Sequence, residues 1–183
     1  MPKKVLVPIA DGSEEIEAVC IIDVLRRAGA DVTVASVDGL QVTASRGVKI
    51  VADTLIADCA GTAFDLIALP GGMPGAEHLR DSVELIRLLR RQQAEGRLCA
   101  AICASPAVVL QHHGFLGGRK ATSHPNFVDR LENREQADSR VVVDGNLITS
   151  RGPGTAIEFA LKLVELLFGS EKAAEVGKPM VLP

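Results

Sequence analysis

The sequence contains no tryptophan and no tyrosine, and its five phenylalanines bring the aromatic fraction to only 3%. Proteins that bind single-stranded nucleic acid stack the bases on aromatic side chains, so a platform of that kind is not expected here. A surplus of charge is also missing, because 20 lysines and arginines oppose 23 acidic residues and leave a net charge of −3. This balance argues against specific nucleic-acid binding, and the hydrophobic content of 47% argues against disorder.

No apolar run is long enough to span a membrane. The most apolar segment, residues 98–110, contains Ser105 and Pro106 and falls well short of the roughly 20 residues that a span needs. The two N-terminal lysines precede only about seven apolar residues before acidic residues begin, which predicts a strand and not a secretory signal. We therefore expect a cytoplasmic protein without a membrane partner.

Cysteine is sparse, and its spacing is not that of a metal site. No CxxC pair occurs among the four cysteines and no histidine pair follows at zinc-ligand spacing, so neither a metal nor a disulfide framework is expected. In a reducing compartment such thiols stay free, and most buried thiols behave as small hydrophobic residues. The open question is whether one of the four is reactive.

Short apolar runs alternate with helical periodicity along the chain. The sequence predicts strands at residues 3–10, 31–37, 64–69 and 97–102, and hairpins over 42–51 and 141–149. It predicts helices at residues 14–28, 82–95, 104–111 and 155–168. This alternation is typical of an α/β fold in which helices cover both faces of a mostly parallel sheet, here as one domain over residues 1–183. Functional sites in such sheets form at the carboxyl ends of the strands.

The last predicted helix carries strong local signals. Thr155 and Glu158 have the spacing of a capping box. A stripe that should be buried recurs at Ile157, Leu161, Val164 and Phe168. The turn before this helix, residues 150–155, either binds an anion or only caps the helix.

One cysteine stands where a strand turns directly into a helix, in AAICASP at residues 100–106. This pattern resembles a nucleophile elbow, whose tight turn needs small neighbours, and Ala101 and Ser105 meet that need. A thiol at a helix N terminus lies at the positive end of the helix dipole, which lowers its pKa. Cys103 is therefore either a reactive thiol or a buried structural cysteine.

Two other segments could support a reactive thiol. Apolar residues follow Glu17, and their burial would raise the pKa of its carboxyl, as suits a general acid or base. The presence of Glu14 and Glu15 is explained by the favourable interaction of acidic side chains with the positive end of the helix dipole. Gly71 and Gly72 follow a strand and could point backbone N–H groups at a ligand, as in an oxyanion hole, although an ordinary tight turn also explains them.

The motifs that remain are SRGV at 45–48 and SHP at 123–125, beside GSEEIEAV at 12–19, LPGGMPGAE at 69–77, AAICASP at 100–106 and SRGPGTAIEFAL at 150–161. Together these six ordered segments resemble the ThiJ/PfpI superfamily, in the branch that holds the human parkinsonism-associated deglycase and the bacterial YajL-type proteins. The resemblance spans essentially the whole chain. It implies a flavodoxin-like three-layer sandwich that forms a homodimer and needs no cofactor and no metal.

The resemblance also implies roles for individual residues. Cys103 resembles the reactive elbow cysteine of the family, and Glu17 resembles the protonated carboxyl that hydrogen-bonds it. Gly72 and Ala104 resemble the pair whose N–H groups form the oxyanion hole. His124 resembles a histidine close to the cysteine.

Arg46 resembles an arginine near the pocket, and with Gly71 it is expected to contact the substrate or an anion. The resemblance implies an enzyme that converts glyoxal and methylglyoxal to 2-hydroxy acids without glutathione and deglycates their early adducts. An alternative uses the same residues, because a redox-sensing holdase chaperone would oxidise Cys103 to the sulfinate. Peptidase and glutamine amidotransferase activities are not expected, since Ala104 stands where the proteases carry histidine and no histidine is followed two positions later by glutamate.

Overall fold

The structure, a computed structural model that describes residues 2–182, is built around a seven-stranded sheet. Its strands and those of a small hairpin are β1 Lys4–Ile9, β2 Asp31–Ser36, β3 Gln41–Thr43, β4 Lys49–Val51, β5 Thr54–Leu55, β6 Leu66–Leu69, β7 Leu98–Ile102, β8 Val141–Asp144 and β9 Leu147–Ser150. The strand order is β5-β2-β1-β6-β7-β9-β8, and all neighbours pair in parallel except β8 and β9. Strands β3 and β4 pair with each other, outside this sheet.

Helices lie on both faces of the sheet. They are α1 Glu15–Arg27, α2 Gly75–Asp81, α3 Val83–Ala94, α4 Ala156–Phe168 and α5 Ser170–Gly177, and a π-helical segment spans Pro106–Gln111. Helix α1 packs against α4 and α4 against α5, whereas α2 packs against α3 and the π-helical segment. The result is a three-layer α/β arrangement with a mostly parallel centre, as the sequence predicts.

The central strands are buried because helices cover both of their faces. Every residue of β6 is buried, and β1 is exposed only at its first residue. Strands of this kind read as continuous apolar runs and not as alternating patterns. The rule explains why the strand predictions at residues 3–10 and 64–69 are confirmed to within two residues at each end.

Other local predictions are wrong or incomplete. The sequence patterns miss α2, α5 and the two-residue strand β5. The sequence also predicts a strand directly before His124, but within residues 2–182 no strand covers this region. Instead, the Thr122 N–H donates to Thr149 Oγ1 at 2.9 Å, so a side chain of β9 replaces a ladder partner.

The predicted capping box on α4 does not form. Glu158 pairs with Arg140 at 2.6 Å, and the Thr155 hydroxyl bonds to the backbone of Gly152. The predicted stripe is also rotated, because Ile157 is only half-buried. The residues that α4 buries are Ala156, Phe159, Ala160, Leu163 and Val164. Of the four residues in the predicted stripe, only Val164 is therefore buried.

Among residues 2–182, no helix is both long enough and apolar enough to cross a membrane.

Candidate active site

Cys103 lies directly after β7, at the carboxyl edge of the sheet, in a strained backbone conformation. Its φ is +64°, in the left-handed region that residues other than glycine rarely adopt. The turn is crowded, since a Cβ atom added to Gly71 would lie 2.6 Å from Cys103 Cβ. The sharp strand-to-helix turn predicted for residues 100–106 is therefore confirmed.

Glu17 brings a carboxyl group to this turn from the first helix. Its side chain is fully buried, and Oε2 accepts the Gly71 N–H at 2.7 Å. Burial raises the pKa of Glu17 to about 7, in line with the sequence-based expectation. The Cys103 thiol lies close enough to interact with this carboxyl.

The second carboxyl oxygen of Glu17 indicates which form of the acid fits the site. Within residues 2–182, Oε1 is a buried side-chain oxygen that no donor reaches with normal geometry. A protonated Oε1 needs no donor, because it becomes a donor itself. Its natural acceptor is the neighbouring sulfur of Cys103, so the geometry favours a neutral Glu17.

Two backbone amides face the sulfur. The N–H groups of Gly72 and Ala104 lie close enough to Cys103 to lower the pKa of its thiol. Gly72 reaches this place through a φ of +89°, and a Cβ atom there would lie 2.4 Å from the Glu14 nitrogen. The predicted amide pair is thus brought together around Cys103 by a segment that tolerates no side chain.

The expectation that the helix dipole lowers the pKa of Cys103 is wrong. Burial raises the pKa of the thiol to about 12, and the nearby charge of Glu17 acts in the same direction. The helix that follows is a π-helical segment of only six residues, Pro106–Gln111, so its dipole is small. A neutral Glu17 removes the effect of its own charge but not that of burial, so it makes a thiolate less unfavourable than an ionised Glu17 does.

His124 is adjacent to Cys103 through its backbone. Its N–H donates to the Cys103 carbonyl at 2.8 Å. The imidazole is half-buried, its Nδ1 accepts the Asn126 N–H at 3.2 Å, and the ring packs edge-on against Phe127. In the described part of the chain no hydrogen bond joins the imidazole to the Cys103 sulfur, so the two do not form a preassembled dyad.

The structure changes the role expected for Gly71 and places Arg46 on a hairpin. The one N–H of Gly71 is donated to Glu17, so this residue orients the carboxyl and is not free to bind a substrate. Arg46 is exposed at the tip of the β3–β4 hairpin, where its guanidinium donates to the Ser45 carbonyl at 3.3 Å. Its backbone N–H donates to Glu15 at 2.8 Å, which fixes this tip beside α1.

The sequence did not predict the contacts that three buried residues make around the site. Glu15 accepts hydrogen bonds from the Ser45 hydroxyl and the Arg46 N–H. Burial acts to raise the pKa of this carboxyl, but these hydrogen bonds and others from the backbone together lower it. Ser105 donates to the Pro70 carbonyl at 2.5 Å, and Ser123 donates to the Cys103 carbonyl at 2.6 Å. The tight-turn pattern requires only that residue 105 be small, and no sequence signal identifies the partners of these hydroxyl groups.

Residues 2–182 include no group of three or more histidine, cysteine, aspartate and glutamate side chains that could hold a metal ion. What the arrangement offers instead is a sulfur close to one buried carboxyl group and to two backbone N–H groups. Such a set of groups can stabilise a negatively charged adduct on the sulfur and move a proton beside it.

Comparison with known proteins places this geometry in context. The sequence signature of the DJ-1/PfpI family matches residues 3–166. Protein DJ-1 homolog B of Arabidopsis thaliana is 52% identical over 182 residues, which cover 98% of this chain but 42% of that relative, so the chain spans less than half of its length. The protein named glutathione-independent glyoxalase DJR-1.2, from Caenorhabditis elegans, is 40% identical over 180 residues, 97% of this chain and 95% of that protein. The solved structure of oxidized Toxoplasma gondii DJ-1 superposes with a TM-score of 0.94 at 53% identity and covers 98% of both chains.

Proposed function

The chain belongs to the DJ-1/PfpI family, and from this membership and its site we propose that it is a cysteine-dependent, cofactor-independent glyoxalase and deglycase. Its substrates would be glyoxal, methylglyoxal or their early adducts, and its products 2-hydroxy acids. The observation that carries the proposal is the surrounding of Cys103. The sulfur lies close to a buried acid, whose Oε1 has no hydrogen-bond partner within residues 2–182, and to two backbone N–H groups.

In the proposed first step, the Cys103 thiolate attacks the aldehyde carbon. A sulfur–carbon bond forms, the carbonyl π bond breaks, and its electron pair moves to the oxygen, which the amides of Gly72 and Ala104 stabilise. The proton on Glu17 then passes to this oxygen. The adduct is a hemithioacetal, and Glu17 is left as a carboxylate.

In the second step, the Glu17 carboxylate removes the proton from the former aldehyde carbon and returns it to the neighbouring carbon through an enediol. The hydroxyl proton on the first carbon passes to the oxygen on the second, so the first carbon becomes the carbonyl of a thioester. One carbon is oxidised as its neighbour is reduced, so no external oxidant is needed. Water then attacks the resulting thioester, the carbon–sulfur bond breaks, and the 2-hydroxy acid leaves. We propose that His124 assists proton transfer in this second step. We also propose that Arg46 contacts the anionic product.

The proposal is tested by lactate formation from methylglyoxal. We expect Cys103→Ala and Glu17→Gln each to lower the rate by more than about 100-fold, because one removes the nucleophile and the other the proton carrier. Cys20→Ala and Glu132→Gln remove a thiol and a carboxyl elsewhere and serve as matched controls. Wild-type rates in either site variant would overturn the mechanism.

A second candidate function is oxidation sensing, in which Cys103 becomes a sulfinate and the chain acts as a holdase chaperone. The unpartnered Oε1 of Glu17 favours it as well, because a neutral acid and two amides would hold the sulfinate oxygens. Two equivalents of peroxide each transfer one oxygen to the sulfur and leave as water. A two-oxygen mass increase of the Cys103 peptide, with turnover at background, would favour this function over the enzyme.

We also propose a cytoplasmic homodimer. Large aliphatic side chains stand exposed on two neighbouring elements, with Ile16 53% exposed on α1 and Val51 68% exposed on β4. The hydrogen bond between Ser45 and Glu15 joins the hairpin that contains β4 to α1. A second copy of the chain would cover such a surface.

A further inference from the structure

The strained backbone of Cys103 needs support that its strand does not provide. Its N–H donates to the Ser150 carbonyl at 3.0 Å, at the end of the ladder between β7 and β9. With φ at +64° the chain then leaves the ladder, so the Cys103 carbonyl must find its donors elsewhere.

Those donors come from two consecutive residues of a buried segment. Ser123 Oγ donates to the Cys103 carbonyl at 2.6 Å, and the His124 N–H donates to the same oxygen at 2.8 Å. The His124 donor is backbone and would survive any substitution except proline. The Ser123 donor is a side chain, so this half of the support depends on residue type.

We infer that Ser123 is a positioning residue for the Cys103 thiol, an inference that rests on the proposed function. Its hydroxyl touches the carbonyl and stabilises the left-handed turn that aims the sulfur at Glu17 and the two amides. Without it, the buried carbonyl keeps one donor and the turn can relax toward negative φ. The sulfur would then lose the groups that stabilise its charge.

The neighbouring residue supplies a matched control. Thr122 is also fully buried, and its hydroxyl donates to the Ala137 carbonyl at 2.6 Å, the same length as the Ser123 bond. That bond does not involve Cys103. Thr122→Val therefore removes an equivalent buried hydrogen bond and leaves the support of the elbow intact.

The experiment measures alkylation of Cys103 by iodoacetamide as a function of pH, read from fragment ions of its peptide. We expect Ser123→Ala to slow alkylation about fivefold at pH 7 and to move the profile to higher pH, because amide stabilisation of the thiolate is weakened. Thr122→Val should match the wild type, and Ser123→Thr, which keeps the hydroxyl, should recover most of the rate. For methylglyoxal, Ser123→Ala should lower kcat and leave KM unchanged.

Coincident profiles for Ser123→Ala and Thr122→Val would overturn the inference. Alkylation measures the reactivity of the thiol independently of turnover. If the wild type forms no lactate but the alkylation profile of Ser123→Ala is still shifted relative to it, the proposed function is refuted and the positioning role is upheld. If Ser123→Ala does not fold, Ser123→Cys keeps the volume with a weaker donor. It should then show a smaller shift of the same sign, and its absence would also overturn the inference.

Discussion

At the scale of single residues, two buried titratable groups, the Glu17 carboxyl and the Cys103 thiol, act on each other. The Gly71 N–H fixes Oε2 of Glu17, so Oε1 is the oxygen left to face Cys103. A neutral Glu17 can donate to the thiolate, whereas an ionised Glu17 repels it. Because burial raises the pKa of Glu17 to about 7, this change of state falls near neutral pH.

The same raised pKa makes the stability of the fold depend on pH. A carboxyl whose pKa rises from 4.5 to about 7 on folding stabilises the fold fully below pH 4.5, and this contribution is lost as the pH rises to about 7. Glu17→Gln removes the dependence, because the amide resembles the protonated acid but cannot ionise. We expect the wild type to lose up to about 3 kcal/mol relative to this variant over that range, measured by urea unfolding.

The control for this measurement is Glu132→Gln, which removes an exposed carboxyl. Its stability should follow the wild type at every pH. Parallel curves for the wild type and Glu17→Gln would show that Glu17 takes up no extra proton on folding.

At the scale of elements, the site is the meeting point of turns that follow β1, β6, β7 and β9. The turn after β6 lies between the turns that follow β1 and β7. The Ser105 hydroxyl bonds to its Pro70 carbonyl, and the Glu14 N–H donates to its Gly71 carbonyl at 2.9 Å. These bonds fix the turn that carries the Gly72 amide, so the position of this proposed oxyanion-hole donor is a property of the packed turns.

Gly71 gives a test of this packing. Its φ is not in the left-handed region, but a Cβ atom there would lie 2.6 Å from Cys103 Cβ and 2.9 Å from the Ala104 nitrogen. We expect Gly71→Ala to destabilise the fold by about 1–3 kcal/mol through overpacking and to slow alkylation of Cys103. Gly61→Ala is the control, since nothing lies within 4 Å of a Cβ atom there. Equal urea midpoints for the two variants would contradict the prediction.

At the scale of the whole molecule, four of the exposed aliphatic residues belong to α1 and the hairpin region. They are Ile16, Val19, Val48 and Val51. A hydrogen bond between Ser45 and Glu15 joins the hairpin to α1. A dimer formed there would lie beside the proposed active site, since Glu17 is on the same helix.

Association through this surface is tested by sedimentation. We expect the wild type to sediment at twice the 19.3 kDa mass of the chain and Val51→Asp to shift it toward the monomer, because a buried unpaired carboxylate is costly. Val83→Asp places the same charge on α3, where Val83 is 55% exposed, and should have no effect. A monomeric wild type, or a dimer insensitive to Val51→Asp, would exclude this interface.

The sequence by itself determined the layout of the fold and the nature of its main reactive groups. Buried parallel strands need continuous apolar runs, so β1 and β6 could be predicted from local residue order. The small residues that flank Cys103 predicted its turn, and the apolar residues after Glu17 predicted the raised pKa of that carboxyl. All of these signals lie within a few residues of the feature they predict.

Only the tertiary structure decided what each group contacts, because those contacts join residues far apart in the chain. The Gly71 N–H donates to Glu17, which is 54 positions away in the chain, and the Ser123 hydroxyl donates to the Cys103 carbonyl, 20 positions away. The charge on Cys103 follows the same logic, since a local dipole argument predicts a lowered pKa and burial beside Glu17 raises it. Desolvation and hydrogen bonding depend on all the elements that surround a group, and here they outweigh the helix that the sequence places next to it.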